Sequence, residues 1–185
     1  MIEEIYRDAD SRMKKSTEVI KQDLEKIRTG RATPALLNHI IVDYYGSSVP
    51  IAQAATVGVA DSRTLSIQPW EKNMIPVIEK AILESRLGLN PVTAGEVIRI
   101  PLPPRTEERR VEMAKLVRQE GESGKIAVRN IRRDAIHQNR GLLQEKEISV
   151  DEEKSAEQEL QHLTNQHIQV IDDIVAAKEA EVLEV

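Results

Sequence analysis

The chain has no cysteine and no phenylalanine, and aromatic residues make up only 2% of it. Without cysteine there is no disulfide, no thiolate metal site and no thiol nucleophile, and a reducing compartment is permitted. With so few aromatics the core must be aliphatic, which suits packed helices better than a β-sandwich. No apolar run approaches the ~20 residues a bilayer crossing needs. The opening Met1-Ile2-Glu3-Glu4 lacks the basic and apolar regions of a secretory signal. The expectation is therefore a cytoplasmic chain that makes no use of a membrane. Catalytic patterns are missing too. Arg28-Thr29-Gly30-Arg31 lacks the Lys-Ser/Thr ending and the strand-to-helix setting of a phosphate loop. His39, His137, His162 and His167 show no ligand spacing, and His162 and His167 are on different helix faces. No nucleophile set stands out, so the expectation is no enzyme, no catalytic residue, no metal and no cofactor.

What the chain does have is 40% hydrophobic and 31% charged residues over 185 positions, a globular composition of one domain or two small ones. Residues 2–28 read as one helix, with Ile2, Ile5, Ala9, Met13, Ile20, Leu24 and Ile27 at helical spacings and Gly30 as a stop. All eight prolines fall within 30–105. There, Ile40–Tyr45, Val49–Gln53, Ala55–Val59, Thr64–Gln68 and Glu96–Ile100 read as short strands, and Met74–Leu83 as a helix ahead of Gly88. Tyr44 and Tyr45 are read as packing residues, and Trp70 as a shield for the edge of this small core.

From residue 106 to about 147 the helical pattern returns. Thr106 is the N-cap, and Val111, Ala114, Val117, Gly121, Gly124, Val128, Ile131 and Ala135 form a seam. Gly121 and Gly124 admit two readings, close approach of a neighbouring helix or a kink. Gly141 and Lys146–Ser149 frame a connection. Ser149 and Glu152 make a capping box for a last helix, whose seam runs through Ala156, Leu160, Leu163, His167, Val170, Ile174 and Ala177.

Three long one-sided helices bury their stripes most simply as a bundle. The fold expected is α+β: a three-helix bundle from 1–29 and 106–185, with an inserted domain at 30–105. Connectors at 29–33 and 102–105 act as a hinge, with Gly30, Arg31, Pro103, Pro104 and Arg105 in them. A long rod with a module at one end gives an L-shaped, two-domain molecule.

The net charge of −5 hides an uneven distribution. Between Arg109 and Arg140 nine cations face four acids, whereas Lys154 and Lys178 stand against ten acids from Asp151 to Glu184. Part of this is mutual neutralisation between helices. Yet Arg118, Lys125, Arg129, Arg132 and Arg140 follow one line off the apolar seam. The stretch Lys125–Arg133, KIAVRNIRR, concentrates it. It is either a solvated face or a surface for a polyanion. Arginine suits bidentate contact with phosphate, and no aromatics are nearby for base stacking. The polyanion reading is therefore folded nucleic-acid backbone read by shape. A coiled-coil adaptor that binds partner helices is the competing reading, and it needs an exposed apolar stripe.

Taken together, Lys26–Ala32 (KIRTGRA) with Pro34, Asp43–Gly46 (DYYG), Glu79–Ile82, Leu87–Pro91 (LGLNP), Pro103-Pro104, Thr106–Arg110 (TEERR) and Val128–Arg133 (VRNIRR) resemble the bacterial ribosome recycling factor family. The motifs span the chain in the family's order and spacing. The resemblance implies a three-helix bundle with an inserted β/α/β domain and binding to the post-termination ribosome. With elongation factor G and its GTP hydrolysis, the subunits would be split and messenger and transfer RNA released. It implies contact of the bundle with large-subunit ribosomal RNA through Arg129, Arg132 and Arg133, with Arg132 foremost. Lys125, Arg118 and Arg110 are the further candidates, and the protein is expected to be a monomer. The chain departs from the family pattern at Arg86, where Asp is usual, and at Arg105, where a hydrophobic residue is usual. Gly121 and Gly124 fall at positions that vary in the family.

Overall fold

The computed structural model describes residues 1–184. They form two compact units, Met1–Thr29 with the chain from Thr106 onward, and Gly30–Arg105.

The first unit is a bundle of α1 (Ile2–Glu25), α3 (Glu107–Gln144) and α4 (Val150–Leu183). Its core is aliphatic: Met13 and Leu24 from α1, Val117 and Val128 from α3, Leu160 and Ile171 from α4 are all nearly or fully buried. The seams cover one another, which removes the exposed stripe a coiled-coil adaptor would need. α1 stops at Glu25, earlier than the apolar periodicity suggests. The Ile27 N–H bonds back to Leu24 O at 3.1 Å, tightening the last turn, and Gly30 lies beyond the helix with φ +80. Thr106 caps α3, its hydroxyl accepting from the Arg109 N–H at 3.2 Å. The capping box of α4 is complete, with Ser149 and Glu152 exchanging bonds of 3.1 and 2.7 Å.

Three details of the bundle differ from the sequence reading. Val111 is 58% exposed, and Met113 takes its place inside. In α4 the seam passes through Ile171, not Val170, which is 44% exposed. Steps of three and four are equally good helical neighbours, so rotation against α1 and α3 chooses between adjacent apolar residues. Gly141 lies within α3, and the connection begins at Glu145. There Lys146 takes φ +58, with Glu147 N–H to Leu142 O (2.9 Å) and Lys146 N–H to Leu143 O (3.0 Å). This is a Schellman motif with lysine where glycine is usual, which is why the sequence did not mark it.

Gly121 and Gly124 are resolved as sites of close approach. α3 is continuous through both. A Cβ on Gly121 would overlap Val175 Cγ2, and one on Gly124 would stand 2.5 Å from Ile20 Cγ1.

The second unit has a hairpin, β1 (Ile41–Tyr44) with β2 (Ser47–Pro50), and a four-stranded antiparallel sheet. The sheet order is β3-β4-β6-β5, from Ala55–Asp61, Thr64–Pro69, Val97–Pro101 and Val92–Ala94. α2 (Ile75–Glu84) packs Ile78 and Ile82 onto a core that includes Leu65, Ile67, Ile98 and Ile100. The stretch after Val49 is not strand throughout. Pro50 cannot continue a ladder, and Ile51–Gln53 turns as a short 3-10 helix that buries Ile51. The β1–β2 turn is Tyr45-Gly46, both at positive φ (50 and 83), the two-residue hairpin conformation. Tyr44 packs half-buried, but Tyr45 is 69% exposed, and both hydroxyls donate to Glu71. Trp70 is 60% exposed, not a core shield; its indole N–H donates to Thr56 Oγ1 at 3.1 Å.

Candidate nucleic-acid interface

α3 fixes the basic line on a rod of 38 residues, roughly 57 Å long. Val128 and Ile131 are buried, so the residues between and beyond them project from a helix that cannot rotate. The neighbours then sort the cations. Arg118 reaches across to Glu179 of α4, its Nε 2.8 Å from Oε1, and that carboxylate holds the guanidinium still more firmly charged. Lys125 is clasped by Asp172 of α4 and lies 3.8 Å from Glu122. Arg140 approaches the largely buried Glu153 at 3.8 Å. These three contacts are the neutralisation expected between a basic and an acidic helix.

Arg129, Arg132 and Arg133 are different. Among the described residues Arg129 has only a long contact, 3.9 Å to Glu122. Arg132 Nη1 donates to the neutral Gln161 Oε1 at 2.8 Å, and Gln161 Nε2 donates to Asn165 Oδ1 at 2.9 Å. Arg133 Nη1 donates to Asn130 Oδ1 at 3.2 Å. An amide partner orients a guanidinium without cancelling its charge, so Arg132 and Arg133 keep theirs. Each retains further N–H groups, since guanidinium carries five donors.

Arg132, Arg133, His137 and Arg140 border an open groove between α3 and α4, of about 550 Å³, closed on the α4 side by Glu157 and Gln161. The structure thus brings Arg129, Arg132 and Arg133 together. It does not bring Arg110 to them: 22 residues earlier on α3, Arg110 is roughly 33 Å away along the axis. Arg140 belongs to the basic line read from the sequence, whereas Gln161 and His137 were not among the sequence candidates. Gln161 was missed because it sits on the acidic helix; its only signal was the Gln161/Asn165 amide pair at i,i+4.

The chain crossings have their own geometry. The Ala32 N–H bonds to Ser62 O (2.8 Å) and the Leu102 N–H to Arg63 O (2.7 Å), so both crossings are tied to the β3–β4 turn. Asp61 organises that turn; the Arg63 and Thr64 donors pull its carboxyl below the usual range. Gly30 underlies Arg105: a Cβ there would stand 3.0 Å from Arg105 Nε. Pro103 and Pro104 are exposed and Arg31 is exposed beside Gly30. Among the described residues no cluster of three or more potential ligands could hold a metal ion, and no helix is long and apolar enough to cross a membrane.

Comparison with known proteins gives one consistent relationship. The family model described as ribosome recycling factor matches residues 20–183. A ribosome-recycling factor of Nitrosococcus oceani is 54% identical over 185 residues, covering all of this chain and 99% of the relative. One from Legionella pneumophila (strain Paris) is 52% identical, with all of both chains covered. A solution structure of the ribosome recycling factor superposes with a TM-score of 0.67 at 43% identity, covering 100% of this chain and 98% of that one. A second structure has a TM-score of 0.61 at 46% identity, with both chains fully covered. It is described as models for the T. thermophilus ribosome recycling factor and the E. coli elongation factor G bound to the E. coli post-termination complex.

Proposed function

The chain belongs to the ribosome recycling factor family, and from that premise we propose that it is a translation factor acting on the post-termination ribosome. With elongation factor G and GTP it splits the subunits and frees messenger and transfer RNA for another round of initiation. The chain itself carries out no bond chemistry; GTP is hydrolysed by the elongation factor. It works as a monomer in the cytoplasm.

In this reading α3 is the ribosome-facing element, and its target is the backbone of folded large-subunit ribosomal RNA. The carrying observation is the sorting of cations along α3: Arg132 and Arg133 are held by neutral amides while Arg118 and Lys125 face α4 carboxylates. Uncancelled arginines on a rigid rod suit phosphates at fixed spacing, because the fork geometry matches phosphate oxygens and little side-chain order remains to be lost. Arg129 extends the contact. Arg110 adds longer-range attraction, which steers encounter more than it holds the complex; Lys125 and Arg118, already paired with Asp172 and Glu179, add little to that field. The crossings at 29–33 and 102–105, with Gly30, Arg31, Pro103, Pro104 and Arg105, serve as the hinge between the bundle and the inserted domain.

The test is the splitting of post-termination complexes with elongation factor G and GTP. Arg132→Glu is expected to abolish splitting and ribosome binding while helicity stays that of the unaltered protein. Wild-type splitting by that variant would remove Arg132 from the interface. Binding should also weaken steeply with salt, and less steeply in Arg132→Gln, because fewer counterions are then released from the RNA.

A further inference from the structure

A groove of about 790 Å³ in the small unit plays no part in the reading above. One wall is the outer edge of β1, which among the described residues pairs only with β2. Tyr44 and Ser47 flank the two-residue turn. In such a hairpin the flanking pair exchanges hydrogen bonds, and bonded and non-bonded pairs then alternate. Val42 and Val49 are therefore a bonded pair, while Ile41 and Asp43 turn their N–H and C=O groups away from β2. The pairing is consistent with Pro50, which lies opposite Ile41 and has no N–H to give. Outside the hairpin, neither Ile41 nor Asp43 makes a backbone hydrogen bond among the described residues. Two donors and two acceptors thus stand on a free edge at a two-residue repeat, which is the repeat of an extended chain.

The opposite wall is α2, with Val77 and Ala81 half-buried along it. Ile41 is 62% exposed and Leu87 40% at the groove's margins, so its lining is largely apolar. The charges are unequal in availability. Lys80 lies 3.9 Å from Glu84, and Asp43 Oδ1 accepts from the Gly46 N–H at 2.8 Å. Arg86 is exposed and has no hydrogen bond or ion pair among the described residues. Lys80 and Glu84 offset one another, Asp43 keeps its charge with one oxygen occupied, and Arg86 is the cation of the groove without an ion pair among the described residues.

We propose that this groove binds an extended segment of a partner protein. The segment adds to β1 as a third strand, rests apolar side chains on Val77 and Ala81, and offers a carboxylate to Arg86. Edge hydrogen bonds supply the affinity, and the α2 wall with Arg86 supplies the selectivity. Nucleic acid is a poor match, because phosphates carry no donors for the two edge carbonyls and gain nothing from an apolar wall.

The experiment follows amide chemical shifts of the isotopically labelled full chain. The probe is a short peptide of alternating valine and threonine ending in glutamates. Saturable shifts and slowed hydrogen exchange at the Ile41 and Asp43 amides are expected. A peptide N-methylated at alternate residues, which cannot bond the edge, should bind about tenfold more weakly or worse. Arg86→Glu lies away from the core; it should weaken the glutamate peptide about threefold and favour a lysine-ended one. The proposal is overturned by a peptide that leaves the Ile41 and Asp43 amides unshifted, or by an N-methylated peptide that binds as well as its parent. It is equally overturned if a uridine oligonucleotide, and not the peptide, shifts those amides.

Discussion

Alanine placed at two glycines of the same helix should move stability in opposite directions. Gly124 and Gly141 both lie within α3. In each case alanine removes the entropic cost of a helical glycine, a gain of about 1 kcal/mol in a helix interior and somewhat less near its end. At Gly141 nothing lies within 4 Å of the new methyl, so the gain is kept. At Gly124 the methyl would stand 2.5 Å from Ile20 Cγ1, 3.0 Å from Ile20 Cδ1 and 3.4 Å from Ile171 Cδ1. Ile20 is itself 5% exposed, and a β-branched side chain in a helix has essentially one χ1 rotamer, so it cannot swing aside. Overpacking of this kind costs about 1–3 kcal/mol, which outweighs the propensity gain. The two variants should therefore differ by about 1–3 kcal/mol, Gly141→Ala above the unaltered protein and Gly124→Ala below it. Urea unfolding followed by helical circular dichroism measures this as a shift of midpoint at constant slope. Gly124→Ala as stable as Gly141→Ala would refute the close approach of α1 and α3 at that site.

Other outcomes follow from particular contacts. Gln161→Ala removes the amide that orients Arg132; ribosome affinity should fall by less than in Arg132→Ala, and the double variant should lose no more than Arg132→Ala alone. Lys146 occupies a left-handed position at φ +58, so Lys146→Gly should raise stability by about 1 kcal/mol in urea unfolding. Asp10 links α1 to α4: the Lys14 ammonium at 2.8 Å, and then His167 Nε2 at 2.9 Å, hold its carboxyl below the usual value of 3.8. A carboxyl depressed on folding adds stability that is fully present above its unfolded pKa and lost as pH falls through the folded one. The stability difference between the unaltered protein and Asp10→Asn should therefore shrink between about pH 5 and about pH 2. A pH-independent difference would show that the carboxylate's charge is not what stabilises the bundle.

The parts of this protein that were legible in the sequence are those encoded locally. Thr106, Ser149 and Glu152 announced helix starts because a cap needs only one turn of chain. The seam from Ala114 to Ala135 was legible because both sides of α3 are set by its own periodicity. KIAVRNIRR was legible as a basic face for the same reason. Lys146 was not legible as a helix stop, since its left-handed backbone is held by two bonds to the preceding turn and not by residue type. Val170 and Ile171 were not distinguishable either, because one step of helix rotation separates them.

The division at the candidate interface has the same origin. Residue order alone places a line of cations on α3 and the acids on α4. Only the tertiary packing decided which cations meet those acids. Arg118 and Lys125 fall opposite Glu179 and Asp172, while Arg132 falls opposite Gln161. Charge type is a property of each residue, but charge cancellation depends on distance, and distance between residues far apart in the chain exists only once the helices are packed.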